Sequence, residues 1–507
     1  MILNIFSSRP NHPLGDDKEL KRVLAELPHD SPKAVDEIFG WFESLRLADD
    51  FRLDHFFDVV SRLDEAAQQH LRRLSRDYLQ PSKLSKNEER RLWSLCYNYW
   101  GEAAGLYACC LDRYRQSHGD KGSEVFKASL PLAGARLLAA RSAQLKWIEF
   151  RYGTVGEDMW CGLGRPYMVA EAGGYAQKPV QMYPGAIGMT SMAQQYLQAL
   201  VRASSSMDAL LPLEIEVADR LISHFLPGFQ FSSECLPGSV YWVDANTGMP
   251  PTRLARPPAQ QSASLRFFLP GTVPQALADL IHIVERGSLP SELNLGGEYP
   301  ASLVLKVLQH LAFYWSPVPP QRGHVRHAVK TRIAVLQGFD HCLSVFAGEV
   351  ARIATERGAE SWLVENVSLG GFCAVTGAVN ESLKIATLLC IQPEGGDNWV
   401  LGVVRRCQLT AEGGASIGIQ TLSRKALGVE LRPRASGLFA SEAIPAIWLC
   451  DANSDGEWRL VLPRGSFDVR QAVEFVTGGR RYQLAPVELE ETGADFEVGR
   501  YREQAVA

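Results

Sequence analysis

The chain has 507 residues, too many for one ordinary hydrophobic core, and this length suggests roughly three domains. A hydrophobic content of 46% and a net charge of −5 are those of a soluble globular protein, with no general attraction to nucleic acid or anionic membranes. Any anion site must therefore be local. We find no apolar stretch long enough to span a bilayer and no signal-peptide pattern, and the ten cysteines include no Cys-x-x-Cys pair. We therefore expect a cytoplasmic protein.

The first 226 residues show the apolar periodicity of amphipathic helices. Apolar residues recur at steps of three and four from Leu53 to Leu79, and Pro81 ends this pattern. Ser85-Lys-Asn-Glu88 matches a capping box that would start the next long helix. Further helical patterns cover 124–151, 189–201 and 213–225. We find no internal repeat, so the sequence predicts an all-α helical bundle over 1–226.

Residues 227–316 form a mixed α/β connecting region. Prolines and glycines are dense up to residue 274, with short strand patterns at 239–243 and 265–269. Helical patterns return at 275–285 and 301–315. Ser316-Pro-Val-Pro-Pro320 is a stiff, extended breaker, which predicts a domain boundary.

Beyond this breaker the hydrophobic period changes from 3.6 towards 2. The predicted strands are 331–336, 362–366, 372–375, 384–392, 399–409, 416–422 and 428–431. Glycine-rich turns at 395–398 and 412–414 join some of them. Short antiparallel strands joined by tight turns predict a small β-barrel over 317–440. Residues 441–507 continue in the same style, as a second small β-domain or an extension of the first. The expected fold class is multidomain α+β.

A basic cluster precedes the first predicted strand of this barrel. Its members are Arg322, His324, Arg326, His327, Lys330 and Arg332, and no acidic residue follows until Asp340. The planar guanidinium of arginine can pair bidentately with phosphate oxygens or a guanine edge and can stack on a purine. A solvated basic loop is the alternative interpretation.

Asn366-Val-Ser368-Leu-Gly370-Gly371 forms a second motif between two predicted strands. It presents a short polar side chain, a hydroxyl group and backbone without Cβ at one tight turn. Asparagine and serine can hydrogen-bond base edges or phosphate, and glycine permits close approach. Alone, this pattern is common in β-turns.

Together the two motifs resemble the PilZ family, whose signature is Arg-x-x-x-Arg followed by Asp/Asn-x-Ser-x-x-Gly. The later strands around 399–406 and 416–420 are also similar to those of the family, so the resemblance covers roughly 317–432. It implies a receptor for cyclic di-GMP in which Arg322 and Arg326 clamp the guanines and phosphates. Asn366, Ser368 and Gly371 would line the pocket. The segment between the motifs is longer than is usual in the family, and we expect the part around 338–360 to form a hairpin or helix beside the pocket.

Our first hypothesis is therefore a non-catalytic cyclic di-GMP effector. It would need no metal or other cofactor, would not bind nucleic acid, and would couple ligand binding to the helical domain, through which it would contact a protein partner. The alternative is a protein–protein scaffold with a degenerate PilZ barrel that binds no nucleotide. A third, weaker hypothesis is an enzyme hidden in the helical region.

Overall fold

The computed structural model divides the chain into two compact units. It describes residues 10–80, 84–116, 121–186, 188–256, 258, 261–290, 292–318, 324–348, 359–377, 383–410, 413–433, 443–451 and 457–504. The helical unit comprises residues 1–151, 155–207 and 212–320. The barrel unit comprises residues 152–154, 208–211 and 321–507. The expected multidomain α+β fold is confirmed.

The helical unit is built from amphipathic helices that bury their apolar faces against one another. They are α1 (Asp17–Glu26), α2 (Ser31–Arg46), α3 (Leu53–Tyr78), α4 (Lys86–Gln116), α5 (Lys121–Phe126), α6 (Leu130–Glu149), α7 (Glu157–Ala172), α8 (Met192–Ala203) and α9 (Pro212–Phe225). The predicted capping box at α4 is confirmed. The backbone N–H of Ser85 donates to Glu88 Oε2 at 2.8 Å, and the backbone N–H of Glu88 donates to Ser85 Oγ at 3.3 Å.

A buried carboxylate on α3 holds this bundle together at its centre. Asp64 accepts hydrogen bonds from the hydroxyls of Tyr99 at 2.8 Å, Tyr107 at 2.7 Å and Tyr183 at 3.1 Å. Gln68 Nε2 adds a fourth donor at 2.8 Å. Burial, followed by the charge of Asp64, raises the pKa of Tyr99 and Tyr107 well above the ordinary value, so both remain protonated donors. These donors compensate the desolvation of the charge.

Residues 227–316 belong to the same compact unit rather than to a separate domain. A small antiparallel sheet in the order β1-β4-β2-β3 is followed by two helices. Its elements are β1 (Gln230–Ser232), β2 (Tyr241–Asp244), β3 (Thr252–Arg253), β4 (Leu265–Leu269), α10 (Val273–Glu285) and α11 (Ala301–Trp315). Trp315 is buried, and its indole N–H donates to Ser205 Oγ at 2.9 Å, which ties α11 to the helices before the sheet.

The first barrel is antiparallel and closed, in the order β10-β7-β6-β5-β8-β9. Its strands are β5 (His327–Gln337), β6 (Glu360–Ser368), β7 (Gly371–Thr376), β8 (Leu388–Pro393), β9 (Val400–Leu409) and β10 (Ala415–Ser423). Trp362, Val364, Ile333 and Ile417 fill its interior. Every predicted strand of this region coincides at least in part with an observed one, because alternating apolar residues point into the barrel.

A second closed antiparallel barrel follows, in the order β11-β12-β13-β16-β15-β14. Its strands are β11 (Ala426–Pro433), β12 (Ile444–Leu449), β13 (Glu457–Pro463), β14 (Val473–Thr477), β15 (Arg480–Thr492) and β16 (Phe496–Glu503). The boundary expected at 440 is therefore misplaced, since β11 pairs with β12 and β14 of the second barrel. A strand's period does not reveal which barrel contains it, because pairing partners are distant in sequence.

The long segment between the two motifs contains one short described helix, α12 (Phe339–Phe346). It does not line the pocket described below. Phe339, Cys342 and Val345 instead pack into an apolar cluster that also contains Leu388 of the first barrel and Ile447 of the second. The backbone N–H of Phe339 also donates to Asp495 Oδ2 at 2.7 Å. Helix α12 thus packs against residues of both barrels. Part of it, 349–358, lies outside the described residues.

Candidate functional site

The Asn-x-Ser-x-x-Gly motif forms the hairpin between β6 and β7. Ser368 pairs with Gly371 across the turn, so only Leu369 and Gly370 form the loop. The Ser368 hydroxyl donates to the carbonyl oxygen of Gly371 at 3.0 Å, which closes the turn from one side. Thr421 of β10 holds the other side, since its backbone N–H donates to the carbonyl oxygen of Gly370 at 3.0 Å. The motif residues are thus fixed on a rigid hairpin.

Gly371 is required by a close approach of two backbones. It pairs with Gln420 on β10. A Cβ at position 371 would overlap the carbonyl oxygen of Ile419 and lie 3.1 Å from the Cα of Gln420. Because both obstructing atoms belong to the backbone of a neighbouring strand, no side-chain movement could relieve the overlap. The role of Gly371 in this structure is to let β7 dock on β10.

The arginine segment reaches the same end of the barrel as this hairpin. Arg322 lies outside the described residues, whereas Arg326 is described and exposed. His327 pairs with Val367 in an antiparallel register, which brings the residue before His327 beside the residue after Val367. Arg326 therefore lies at the Ser368 end of the sheet. His324 lies against the loop, with its Cδ2 only 3.2 Å from where a Cβ on Gly370 would be.

A shallow groove of about 490 Å³ opens between the two motifs. It is lined by His324, Val325, His327, Val367, Ser368, Leu369 and Arg424. None of these lining residues is acidic. Its rim is apolar, since Val325 is 75% exposed and Leu369 is 64% exposed. Basic and hydroxyl groups beside exposed apolar surface are suited to a ligand that combines negative charge with flat, apolar faces.

The groove includes some of the predicted site residues and leaves others at its edge. Ser368 lines it. Arg326, Asn366 and Gly371 lie on the adjoining backbone without being lining residues. Asn366 is half-buried on β6, opposite Ala328 of β5 and Cys373 of β7. The roles assigned to these residues in binding remain predictions.

Arg424 is the groove residue that the sequence analysis missed. It lies just after β10, and one of its terminal N–H groups donates to the carbonyl oxygen of Leu369 at 3.0 Å. Arginines are frequent in this part of the chain, and no local pattern separates Arg424 from them. Only the closure of the barrel, which places β10 beside β7, brings it to the hairpin. Lys330 and Arg332 of the predicted basic cluster lie on β5 and do not line the groove.

A closed antiparallel barrel with an Asn-x-Ser-x-x-Gly hairpin at a basic groove defines a PilZ-domain protein. Two family models match the chain: the N-terminal domain of the cyclic-di-GMP receptor FimW over residues 18–235, and the middle PilZ domain of the same receptor over residues 354–427. Together they cover more than half of the chain, which belongs to this family of cyclic-di-GMP receptors. No curated protein sequence matches the chain.

The family assignment confirms the predicted PilZ resemblance and extends it into the helical unit. The middle match contains Asn366, Ser368, Gly371 and Arg424, but it begins after Arg326. In the part of the chain that the structure describes, no helix is both long and apolar enough to cross a bilayer. Within the same residues, we find no group of three or more His, Cys, Asp or Glu side chains placed to hold a metal ion.

Proposed function

We propose that this chain is a non-catalytic effector that binds cyclic di-GMP in the groove between the arginine segment and the β6–β7 hairpin. The observation that carries the proposal is that the two motifs meet, with His324 against Gly370 and Ser368 on the groove wall. In this assignment Arg322 and Arg326 clamp phosphates and guanines. Asn366, Ser368 and Gly371 form or support the wall opposite them.

The chemistry of the groove supports this ligand over a simple anion. A phosphodiester needs cationic donors, and the arginine fork supplies short, charge-assisted hydrogen bonds to it. A guanine base also needs apolar surface, which the exposed side chains of Val325, Val367 and Leu369 offer. An isolated sulfate or phosphate would leave those side chains uncovered.

Calorimetry with cyclic di-GMP tests the assignment directly. Wild type, Arg322→Ala and Arg326→Ala are titrated beside Arg464→Ala, which removes an exposed arginine of the second barrel that donates to the carbonyl oxygen of Ala494 at 3.3 Å. We expect micromolar or tighter binding by the wild type and the control, and loss of about 10- to 100-fold or more in each motif variant. No heat with folded wild type would refute the receptor and favour the protein–protein scaffold.

The site's place in the chain also supports coupling to the helical unit. Arg322 and Arg326 follow the proline-rich linker 316–320 directly, and α11 precedes it. A ligand that holds these arginines therefore acts beside one of the points at which the chain passes between the two units. Such coupling requires the ligand to favour one arrangement of the linker. X-ray scattering profiles with and without the dinucleotide should differ, and identical profiles from a saturated sample would refute the coupling while leaving binding intact.

We further propose that the helical unit carries the surface for a protein partner. A depression of about 870 Å³ lies between α1, α2 and α3, and His29, His70, Arg73 and Arg76 are among the residues that line it. Asp77 is the only acidic residue among the described lining residues, which favours an acidic partner segment. A crosslinker placed at position 69, which also lines the depression, should capture the partner of the wild type. Substitution of Arg73 and Arg76 by glutamate should abolish this crosslinking and leave the affinity for cyclic di-GMP unchanged. Unchanged crosslinking would refute this surface.

A further inference from the structure

The turn Ser423-Arg424-Lys425 joins the two barrels and also reaches the groove. It connects the end of β10 in the first barrel to the start of β11 in the second. The Arg424 side chain extends back to the β6–β7 loop, where it donates to the carbonyl oxygen of Leu369 at 3.0 Å. That acceptor is neutral, and within the described residues we find no carboxylate paired with this guanidinium.

The second barrel fixes the backbone from which Arg424 projects. Asp451, which follows β12, accepts a hydrogen bond from the backbone N–H of Arg424 at 2.8 Å and another from the Ser423 hydroxyl. The backbone N–H of Cys450 donates to the carbonyl oxygen of Lys425 at 2.8 Å. Three hydrogen bonds to one short turn leave its backbone little freedom. The second barrel therefore helps to hold the backbone from which the Arg424 side chain projects, and Leu369 of the first barrel accepts the hydrogen bond at its tip.

We propose that Arg424 is a further ligand-contacting residue that pairs with a phosphate of the dinucleotide, and that Asp451 is its positioning residue. The second barrel then completes the binding site of the first. An exposed guanidinium bound to a neutral carbonyl gains more from an anionic phosphate oxygen than it loses by leaving that carbonyl. Because Asp451 bonds the backbone rather than the guanidinium, it orients the arginine without neutralising it. This inference rests on the proposed binding of cyclic di-GMP in the groove.

The contact is tested by titrating the full chain with cyclic di-GMP. Arg424→Ala should weaken binding by about 10- to 100-fold, the usual range for loss of a hydrogen bond between charged groups. Arg424→Lys, which keeps the charge but loses the fork, should fall between this variant and the wild type. Arg464→Ala is the matched control, because it too removes an exposed arginine that donates to a backbone carbonyl. Equal affinity of Arg424→Ala and wild type would overturn the contact.

The positioning role is tested with a double-mutant cycle. Asp451→Ala should weaken binding by about 3- to 10-fold when Arg424 is present and should have no effect when Arg424 is alanine, because coupled residues are not additive. Equal losses in both backgrounds would overturn the positioning role and indicate a general structural effect. The more conservative Asp451→Asn, which keeps an oxygen acceptor, should recover part of the affinity.

These outcomes separate the inference from the function on which it rests. If the wild type binds and Arg326→Ala abolishes binding while Arg424→Ala does not weaken it, the proposed function stands and the role of Arg424 is wrong. If the folded wild type does not bind at all, the proposed function itself fails.

Discussion

Replacement of Gly371 by alanine should damage both the barrel and its groove. The added Cβ overlaps the carbonyl oxygen of Ile419 and lies 3.1 Å from the Cα of Gln420, so one of the two strands must move. Overpacking that forces a backbone shift costs typically about 3 kcal/mol or less, and this site lies at the upper end because both obstructing atoms are backbone. For a unit of this size, such a loss corresponds to a lowering of Tm by roughly 6 to 12 °C.

The matched control is the same substitution one residue earlier. A Cβ at Gly370 would lie 3.2 Å from Cδ2 of the exposed His324 ring, which can turn away, so stability should change by less than about 0.5 kcal/mol. Thermal unfolding followed by near-ultraviolet circular dichroism measures both variants, and calorimetry measures their affinity for cyclic di-GMP. If Gly371→Ala melts with the wild type, or if Gly370→Ala is the less stable of the two, the steric argument is refuted.

Three further predictions concern buried groups. Asp219→Asn should lower the free energy of unfolding of the helical unit by about 3 to 5 kcal/mol in urea titrations, because the buried Arg202 loses its carboxylate partner and Lys146 keeps only Glu216. Burial alone raises the pKa of Asp219, but the charges of Arg202 and Lys146 outweigh it and hold that pKa well below its usual range. Asp219 therefore stabilises the fold above about pH 4, and this contribution should be lost as pH falls further, with a weaker pH dependence in Asp219→Asn. Trp362→Ala should cost about 3 to 5 kcal/mol, measured by chemical denaturation of the barrel unit, because Trp362 is fully buried in the first barrel.

The helices and most strands were predictable because their signals are local. The stripe from Leu53 to Leu79 and the capping box at Ser85 depend on residues within one or two turns of each other. The strands of the first barrel follow from a period of two and from glycine-rich turns. The strand Phe496–Glu503 was not predicted, and the boundary at 440 was misplaced, since strand partners are chosen by pairing over long distances.

Only those residues of the site that belong to its two sequence motifs were predictable. Ser368 and its hairpin lie where the pattern indicated, and the family match to the middle PilZ domain includes them. The long segment was expected to form a hairpin or a helix beside the pocket. Its described part contains a helix, but α12 packs into the core shared by the barrels instead of lining the groove. The apolar sequence of a short helix indicates that the helix is buried, but it does not indicate which surface the helix packs against.

The sequence by itself determined the helical and β-rich halves and showed the PilZ motif pair, because periodicity and motif spacing are properties of neighbouring residues. The ligand was implied only by the resemblance of that motif pair to the family. The tertiary structure alone decided that His324 lies against Gly370, that Arg424 reaches the groove and that Asp451 holds its backbone. These contacts join residues that are far apart in the chain. They exist because the closure of the two barrels brings together strand ends that are distant in the sequence, and no local pattern encodes that closure.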